Sequence, residues 1–359
     1  MNALHGRARS IDGGGWDHPR PAPYGGLMTS TFRAVQQISR PHGMPVPGDF
    51  AFVEGPVAEV APGTALVENL YLSVDPYMRE AMDAEWRLER PLEGRSIGRV
   101  VASRDPGLAV GDLVFHREGW RTHALVSRAE GARVLPRHPG VPVSSYLGLL
   151  GGTGLSAYVA LTRIARLQPG ETVFISAAAG GVGSAAGRLA RLLGAGRVIG
   201  SAGSPAKVAH LVDRLGFDAA FDYHDGPVGE QLAKAAPEGI DVYVDNVGGE
   251  HLEGAISAMR DHGRIAWCGA VAQYNSAEAP PAPRNLYDIV EKSIRLEGFL
   301  VRKHGDAQAE LEDFLIPHLQ AGRVAQDETV VEGFDGVVDA FLGMLRGRNT
   351  GKMLVKVGD

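Results

Sequence analysis

The second half of the chain alternates short apolar runs with segments of helical periodicity, and this alternation limits the possible folds more than any other feature. From about residue 150 onward we predict strands at TVFIS (172–176), RVIGS (197–201), AAFDY (219–223), DVYVDNV (241–247), RIAWCGA (264–270) and IRLEGFLV (294–301). Helices are predicted between most of them, over 182–194, 206–216, 228–236 and 249–260. Strands and helices in this order are typical of an α/β fold with a doubly wound parallel sheet.

The first 150 residues show a different pattern. They hold most of the prolines and carry short β-prone runs between turn residues, as in ALVENLYLSV (65–74), SIGRVVAS (96–103) and GDLVFH (111–116). This pattern predicts a β-rich barrel or sandwich. A helix is predicted over 306–321, and we expect the β-like tail GKMLVKV (351–357) to return to the first domain.

These two patterns predict a domain of the Rossmann type, over 145–323, inserted into a β-rich domain made of 28–144 and 324–359. The preceding residues 1–27 are rich in Gly, Pro and Arg and are predicted to be a disordered extension. They contain no apolar core of a secretory signal.

Composition narrows the functional classes. The net charge of −6 gives no electrostatic reason to expect nucleic acid or an anionic membrane as partner. No segment has the length and apolarity of a membrane span. The single cysteine, Cys268, excludes a disulfide framework and a structural zinc site of several thiolates. We therefore expect a cytoplasmic protein with a small-molecule substrate.

The stretch ISAAAGGVGS (175–184) lies at the end of a predicted strand and opens a predicted helix, which is the setting of a dinucleotide-binding turn. Its frame departs from G-x-G-x-x-G, because Ala178 stands where the first glycine is usual. Gly180 allows the backbone to approach a pyrophosphate, and Gly183 allows the helix to pack closely on the strand. The helix N-terminus supplies free N–H groups for the phosphates. Ala178 needs only a negative φ, which alanine adopts freely.

The residues after that turn indicate the type of dinucleotide. NAD-binding domains place an acidic residue about 20 residues further on, where it binds the ribose 2′-hydroxyl. Here no acidic residue occurs between Glu171 and Asp213, and the corresponding stretch contains Lys207. Lys207 offers a positive charge to a 2′-phosphate, and Tyr223 offers a phenolic hydroxyl to the same group. The sequence therefore predicts NADP(H) rather than NAD(H).

The residues that several other reaction types require are absent from the sequence. His116 and His123 have no third zinc ligand nearby and are expected to be exposed strand-end residues. The Tyr-x-x-x-Lys pair of short-chain dehydrogenases and the G-x-S-x-G elbow of hydrolases are absent. Cys268 is expected to be a small apolar residue at a strand end, because no histidine adjoins it to activate the thiol. The reaction type that remains is hydride transfer without a metal.

Five motifs in the same order then resemble the leukotriene/prostaglandin reductase group of zinc-free medium-chain dehydrogenase/reductases, which includes plant alkenal double-bond reductases and bacterial curcumin reductase. They are LYLSVDPYMR (70–79), SAAAGGVGS (176–184), DVYVDNVGGE (241–250), GRIAWCGAVAQYN (263–275) and NTGKMLVKV (349–357). The resemblance implies a GroES-like domain beside the Rossmann domain and a homodimer, for which IRLEGFLV is a candidate edge strand. It also implies NADPH-dependent reduction of the C=C bond of α,β-unsaturated ketones and aldehydes.

The resemblance also implies roles for individual residues. Tyr274 would lie beside the substrate carbonyl, and Tyr77 and Arg79 would lie near the cleft. The phrase GGTGLSAY (151–158) departs from the family pattern, with Thr153 in place of a proline near the cleft. The cofactor would be bound by Gly180, Gly181, Val182, Gly183, Lys207, Tyr223, Asn246, Cys268, Gly269 and Asn349.

Other interpretations of these residues stay open from the sequence alone. Tyr77 and Arg79 could belong to a turn in which Arg79 pairs with a carboxylate, and Asn246 could cap the helix 249–260. Tyr274 could pack the Pro-rich loop SAEAPPAPRN (276–285) on the sheet, or donate to an enolate oxygen while that loop acts as a lid. We expect solvent to supply the proton at Cα. The alternatives to an enone reductase are a quinone oxidoreductase of the same superfamily and a non-catalytic NADPH-binding protein.

Overall fold

The computed structural model describes residues 31–276, 278 and 281–358. The predicted disordered extension, 1–27, and part of the predicted lid loop, 276–285, lie outside these residues. Within them, no helix combines the length and apolarity needed to cross a bilayer.

The strands occur in three groups along the chain. The first group, before residue 150, consists of β1 (Thr31–Gln37), β2 (Phe50–Pro56), β3 (Ala65–Ser73), β4 (Ser96–Ser103), β5 (Leu113–His116), β6 (His123–Val126) and β7 (Arg133–Val134). The second consists of β8 (Thr172–Ile175), β9 (Arg197–Ala202), β10 (Ala219–Asp222), β11 (Ile240–Asp245), β12 (Met259–Trp267) and β13 (Arg295–Gly298). The third consists of β14 (Glu328–Glu332) and β15 (Lys352–Lys356).

Helices connect the second group of strands and flank both sheets. They are α1 (Tyr77–Asp83), α2 (Gly152–Val159), α3 (Gly181–Leu192), α4 (Pro205–Asp213), α5 (Val228–Ala235), α6 (Gly249–Ala258), α7 (Val271–Tyr274), α8 (Asp288–Glu291), α9 (Gln308–Gln320) and α10 (Val337–Leu345).

The second group of strands forms one parallel sheet in the order β10-β9-β8-β11-β12-β13. The chain runs outward from β8 to β10 and then returns to the centre at β11. The order of the strands therefore reverses between β8 and β11, and an α/β sheet binds its ligand in the crevice at such a point. The doubly wound fold predicted from the sequence is confirmed, with β10 and β13 as the two edge strands of the sheet.

The remaining strands form a mostly antiparallel sheet in the order β14-β15-β3-β4-β5-β7, with β6 also paired to β3 and β1 paired to β2 as a separate hairpin. β15 is parallel to β14 and antiparallel to β3. The tail of the chain thus lies within the β-rich sheet, as the sequence predicted. The limits of the two domains in residues stay a prediction.

Five helices, α1, α2, α7, α8 and α10, were not anticipated from the sequence. DPYMR is not a turn, because α1 begins at Tyr77. Helices α7 and α8 have four residues each, which is too few to show a helical period. Most residues of α10 are buried, Phe341 among them, and its ring lies edge-on to that of Trp120 with 5.5 Å between the centroids. Helix α10 is a short and mostly apolar run, and such a run cannot be told from a buried strand by its sequence alone.

Candidate active site

The turn between β8 and α3 has the features of a phosphate-binding site. Helix α3 begins at Gly181, and the residue before it, Gly180, provides no side-chain cap. The first turn of α3 contains no acidic residue, so the N–H groups and the positive dipole end remain available to an anion. At Gly183 a Cβ would lie 2.6 Å from Cα of Ala178, which explains the need for glycine where the helix packs on the strand.

The alanine at the first glycine position is accommodated by packing. Ala178 is fully buried, and a Cβ at Gly200 on β9 would lie 2.7 Å from the Ala178 methyl group. The methyl group therefore occupies space that Gly200 leaves free. The positive φ of this turn falls one residue earlier, at Ala177, where φ is 46°. Ala178 has an ordinary negative φ, as expected, and the strained position is its neighbour.

The segment before β15 is bonded to the phosphate turn. The Gly351 N–H donates to the Ala179 carbonyl at 2.8 Å, and Gly351 forms a β-bridge with Gly180. The amide of Asn349 is buried and donates from Nδ2 to the Gly351 carbonyl at 2.7 Å. Asn349 thus lies at the edge of the cofactor turn, and contact of this residue with the nicotinamide side stays a prediction.

Thr153 also lies against the phosphate turn. Its Oγ1 donates to the Gly148 carbonyl at 2.8 Å, and its methyl group lies 3.0 Å from where a Cβ at Gly181 would stand. This position is behind the start of α3. The structure therefore places Thr153 in the packing of the cofactor turn, and its position in the substrate cleft stays a prediction.

The end of β9 and the start of α4 form the predicted 2′-phosphate site. Tyr223 follows β10, and a Cβ at Gly203 would lie 2.8 Å from its hydroxyl oxygen, so the glycine leaves room for the phenol. Ser204 caps α4 by accepting from the Lys207 N–H at 3.3 Å. Nζ of Lys207 donates to the Gly347 carbonyl at 2.6 Å, and burial lowers the pKa of this amine. An amine and a phenol on either side of one short loop, with no carboxylate on that loop, suit a phosphate monoester.

The crevice between β8 and β11 is closed at its base by hydrogen bonds. Asn246 donates from Nδ2 to the Ser176 carbonyl at 2.8 Å and accepts at Oδ1 from the Cys268 thiol at 3.0 Å. Helix α6 is preceded by Gly248 as its cap residue, so the capping role considered for Asn246 is wrong. Asn246, Cys268 and Gly269 lie together at the carboxyl ends of β11 and β12, where the cofactor was predicted to bind.

Asp245, which organises this crevice, was not predicted from the sequence. Its carboxylate is fully buried, and Oδ1 accepts from the Tyr243 hydroxyl at 2.7 Å and from the Val247 and Gly248 N–H groups at 2.9 and 2.8 Å. The Asp245 carbonyl accepts from the Cys268 N–H at 2.9 Å. The available signal was its place in DNVGG, directly after a buried strand.

Tyr274 ends α7 beside this crevice. Its hydroxyl oxygen accepts from the Ala270 N–H at 3.3 Å, and a Cβ at Gly269 would lie 3.5 Å from the same oxygen. Burial raises the pKa of Tyr274 to about 12. Because the hydroxyl acts as an acceptor towards Ala270, its own proton is free to be donated to a third group.

Helix α1 of the β-rich domain contacts α7 and carries both Tyr77 and Arg79. The Tyr77 hydroxyl is buried without a hydrogen-bond partner in the described structure, and burial raises its pKa to about 12. The Arg79 guanidinium is 3% exposed and is fully engaged by the Gly43 carbonyl and the Asp83 carboxylate. Tyr77 thus has a polar group to offer a ligand, whereas Arg79 corresponds to the interpretation in which it pairs with a carboxylate.

The histidines of the β-rich domain differ from expectation. His116 is not exposed: it is 2% exposed, its Nε2 lies 2.8 Å from Oδ1 of Asn69, and burial lowers its pKa to about 3. The reason is that β5 lies inside the sheet, where even its last residue is covered. His123 lies 3.1 Å from the Thr122 hydroxyl. In the part of the chain that the structure describes, no three His, Cys, Asp or Glu side chains form a group suited to a metal ion.

Cys268 is expected to resist alkylation at pH values near 8, because burial raises the pKa of its thiol to about 12. At that pH the thiolate fraction is then roughly a thousandfold lower than for a free cysteine, whose pKa is about 8.5. The rate of iodoacetamide labelling of the folded protein, compared with the urea-unfolded protein, measures this. Labelling of the folded protein at the unfolded rate would contradict the raised pKa and the hydrogen bond of this thiol.

Comparison with known proteins agrees with this geometry. Residues 33–134 match a family described as the N-terminal domain of oxidoreductase, and residues 181–317 match one described as zinc-binding dehydrogenase. The chain is 36% identical to the NADPH-dependent curcumin reductase of Escherichia coli, over 89% of this chain and 95% of the relative. It is 38% identical to the NADP(+)-dependent 2-alkenal reductase of Nicotiana tabacum, over 81% and 87% of the two chains.

Among solved structures, CurA from Vibrio vulnificus in complex with NADPH superposes with a TM-score of 0.85 at 32% identity, covering 91% of this chain and 99% of that one. One of the matching families is named for zinc, whereas no three His, Cys, Asp or Glu side chains among the described residues form a group suited to a metal ion. The chain therefore belongs to the medium-chain dehydrogenase/reductase family, in the group of NADP-dependent oxidoreductases that includes the prostaglandin, curcumin and 2-alkenal reductases.

Proposed function

We propose that this protein reduces the C=C bond of α,β-unsaturated ketones and aldehydes with NADPH. The observation that carries the proposal is the Tyr274 hydroxyl, which keeps its proton free beside the crevice where the β-strand order reverses. A donor at that place suits a substrate whose carbonyl oxygen gains negative charge during the reaction.

The residues present fit NADPH. The uncapped start of α3 suits the pyrophosphate, and Lys207 and Tyr223 suit the 2′-phosphate. When bound, NADPH supplies the hydride that the substrate accepts at Cβ. The crevice floor of Asn246, Cys268 and Gly269 would hold the nicotinamide end, and hydrogen bonds to Ser176 and Asp245 fix that floor in place.

The Tyr274 hydroxyl would donate a hydrogen bond to the carbonyl oxygen of the substrate and so stabilise the enolate. A single donor of this kind is typically worth about 2.7–4 kcal/mol of transition-state stabilisation. The raised pKa keeps Tyr274 neutral throughout the physiological range, so it acts as a hydrogen-bond donor rather than as a base. Tyr77 offers a second unpartnered hydroxyl at the facing helix, and we assign it to substrate contact.

The finer parts of the proposal rest on the same architecture. We assign the proton at Cα to solvent, since no histidine or carboxylate adjoins Tyr274 by hydrogen bond among the described residues.

Strand β13 ends its sheet with one unpaired side, and we propose that a second copy pairs there in a homodimer. No step of the mechanism passes through a metal.

The test is NADPH oxidation with a simple enal, an enone and a quinone as acceptors, with the matching saturated aldehyde as control. We expect turnover of the enal and enone to saturated carbonyl products, identified by NMR, and none of the saturated aldehyde. Turnover of the quinone alone would replace the proposal with a quinone oxidoreductase. Tight NADPH binding without turnover of any acceptor would indicate a non-catalytic binding protein.

A further inference from the structure

A closed loop of the β-rich domain, residues 39–46, reaches Asn275, the residue that follows Tyr274. One buried carboxylate holds both ends of the loop. Oδ1 of Asp49 accepts from the Ser39 hydroxyl at 2.5 Å, and Oδ2 accepts from the Val46 N–H at 2.9 Å. The loop is thereby fixed at its base as a compact unit, of the kind that often carries function.

Two arginines bind this loop to the helix that faces the active site. Arg40, inside the loop, donates to the carbonyls of Met82 and Trp86 at and beyond the end of α1. Arg79, inside α1, donates from Nε and Nη2 to the Gly43 carbonyl at 3.1 and 2.9 Å. Because two N–H groups of one guanidinium hold a single carbonyl, the tip of the loop has a defined position.

The tip of the loop lies against Asn275, the residue next to the candidate catalytic residue Tyr274. A Cβ at Gly43 would lie 3.5 Å from the Asn275 carbonyl, and Asn275 follows Tyr274 directly. Oδ1 of Asn275 is buried and has no hydrogen-bond partner in the described structure. The φ of Gly43 is +77°, a backbone conformation that favours glycine at the tip of the loop.

We propose that the 39–46 loop is the wall that limits the size of the enone reaching Tyr274, and that Arg79 is the positioning residue that holds it there. The inference rests on the proposed function. It assigns to Arg79, through the loop, a role in substrate selection that does not require the guanidinium to touch substrate. It also predicts that loss of the Arg79 guanidinium releases the loop, whereas loss of the Asp83 carboxylate, which binds the other side of the guanidinium, does not.

The experiment compares Arg79→Met, Arg79→Lys and the matched control Asp83→Asn. Asp83 accepts from Nη1 of Arg79 at 2.7 Å, so its replacement disturbs the same guanidinium but leaves both bonds to Gly43. Each variant is assayed with NADPH and a series of enones from methyl vinyl ketone to a diaryl enone. We expect Arg79→Met to raise the ratio of kcat/KM for the diaryl enone over that for the small one by about tenfold, with NADPH affinity unchanged.

Arg79→Lys retains a single donor and is expected to give an intermediate ratio, whereas Asp83→Asn is expected to keep the wild-type ratio. A uniform fall in kcat/KM for all enones in Arg79→Met would overturn the proposal, because it would show a general loss of structure. An equal change of the ratio in Asp83→Asn would overturn it as well.

A second measurement stands apart from turnover, so that failure of the proposed function can be told from failure of this inference. Amide hydrogen exchange within 39–46 is expected to be at least about tenfold faster in Arg79→Met than in wild type or Asp83→Asn. Unchanged exchange in Arg79→Met would show that the guanidinium does not hold the loop, whatever the protein reduces. Absence of enone turnover by wild type, with the loop released as expected, would overturn the proposed function and the selectivity role while leaving the positioning by Arg79 intact.

Discussion

Replacing Tyr274 with phenylalanine is expected to lower kcat for enone reduction by about 100- to 1,000-fold, the range found when one oxyanion donor is removed. The substitution deletes one hydroxyl and keeps the ring that packs at the end of α7. The NADPH dissociation constant should stay within about twofold, because the hydroxyl donates to the substrate oxygen and not to the cofactor. Stopped-flow and steady-state measurements of NADPH oxidation, with fluorescence titration of NADPH, test both parts.

Tyr287 provides a matched control, since Tyr287→Phe removes the same hydroxyl from a side chain that is 68% exposed and should leave kcat unchanged. The pH profile gives an independent check. With a pKa raised to about 12, Tyr274 remains protonated, so wild-type kcat should not fall between roughly pH 6 and 9 through loss of this proton. An unchanged kcat in Tyr274→Phe would refute the role in stabilising the enolate.

Lys207→Ala is expected to raise KM for NADPH by about 10- to 100-fold while KM for NADH stays the same, because the substitution removes a hydrogen bond to a charged group, worth about 1.5–3 kcal/mol. The two cofactors differ only in the 2′-phosphate, so the comparison isolates the group that Lys207 is proposed to bind. Initial rates at saturating enone, with each cofactor varied in turn, measure the effect. Lys234→Ala, at the end of α5, is the matched control and should alter neither KM.

Lys207 also donates to the Gly347 carbonyl, so the substitution removes a bond in the protein without cofactor. A melting temperature of the variant measured without NADPH separates this structural effect from cofactor binding. Equal increases in KM for NADPH and NADH would contradict a 2′-phosphate role and would indicate that α4 had moved.

The features that the sequence predicted depend on local patterns. The strands of the Rossmann sheet are apolar runs bounded by turns, and the phosphate turn is a contiguous strand, glycine turn and helix. The cofactor type was indicated by charges within a single stretch, around Lys207. Such features are set by neighbours in the chain, so one sequence is enough to find them.

The features that it missed depend on contacts between distant residues. The Arg79 bonds to Gly43 join positions 36 residues apart, and the Asn246 bonds to Ser176 join positions 70 apart. The resemblance implied one cleft position for both Tyr77 and Arg79, but the helical turn of α1 gives the two side chains different surroundings: the Tyr77 hydroxyl is unpartnered and Arg79 is bonded to Gly43 and Asp83. Burial likewise changed the interpretation of His116, since the length of a strand does not show how deeply its end is covered.

The bond between Gly351 and Ala179 bears on the order in which the protein can assemble during synthesis. Strand β15 lies between β14 and β3 in the β-rich sheet, although almost the whole chain separates β3 from β15 in sequence. The Rossmann sheet needs only residues 172–298 and can form earlier. A nascent chain is therefore expected to fold the Rossmann domain first and to lack the Gly351 bond until β15 has left the ribosome. Firm cofactor retention would then follow closure of the β-rich sheet rather than folding of the Rossmann sheet alone.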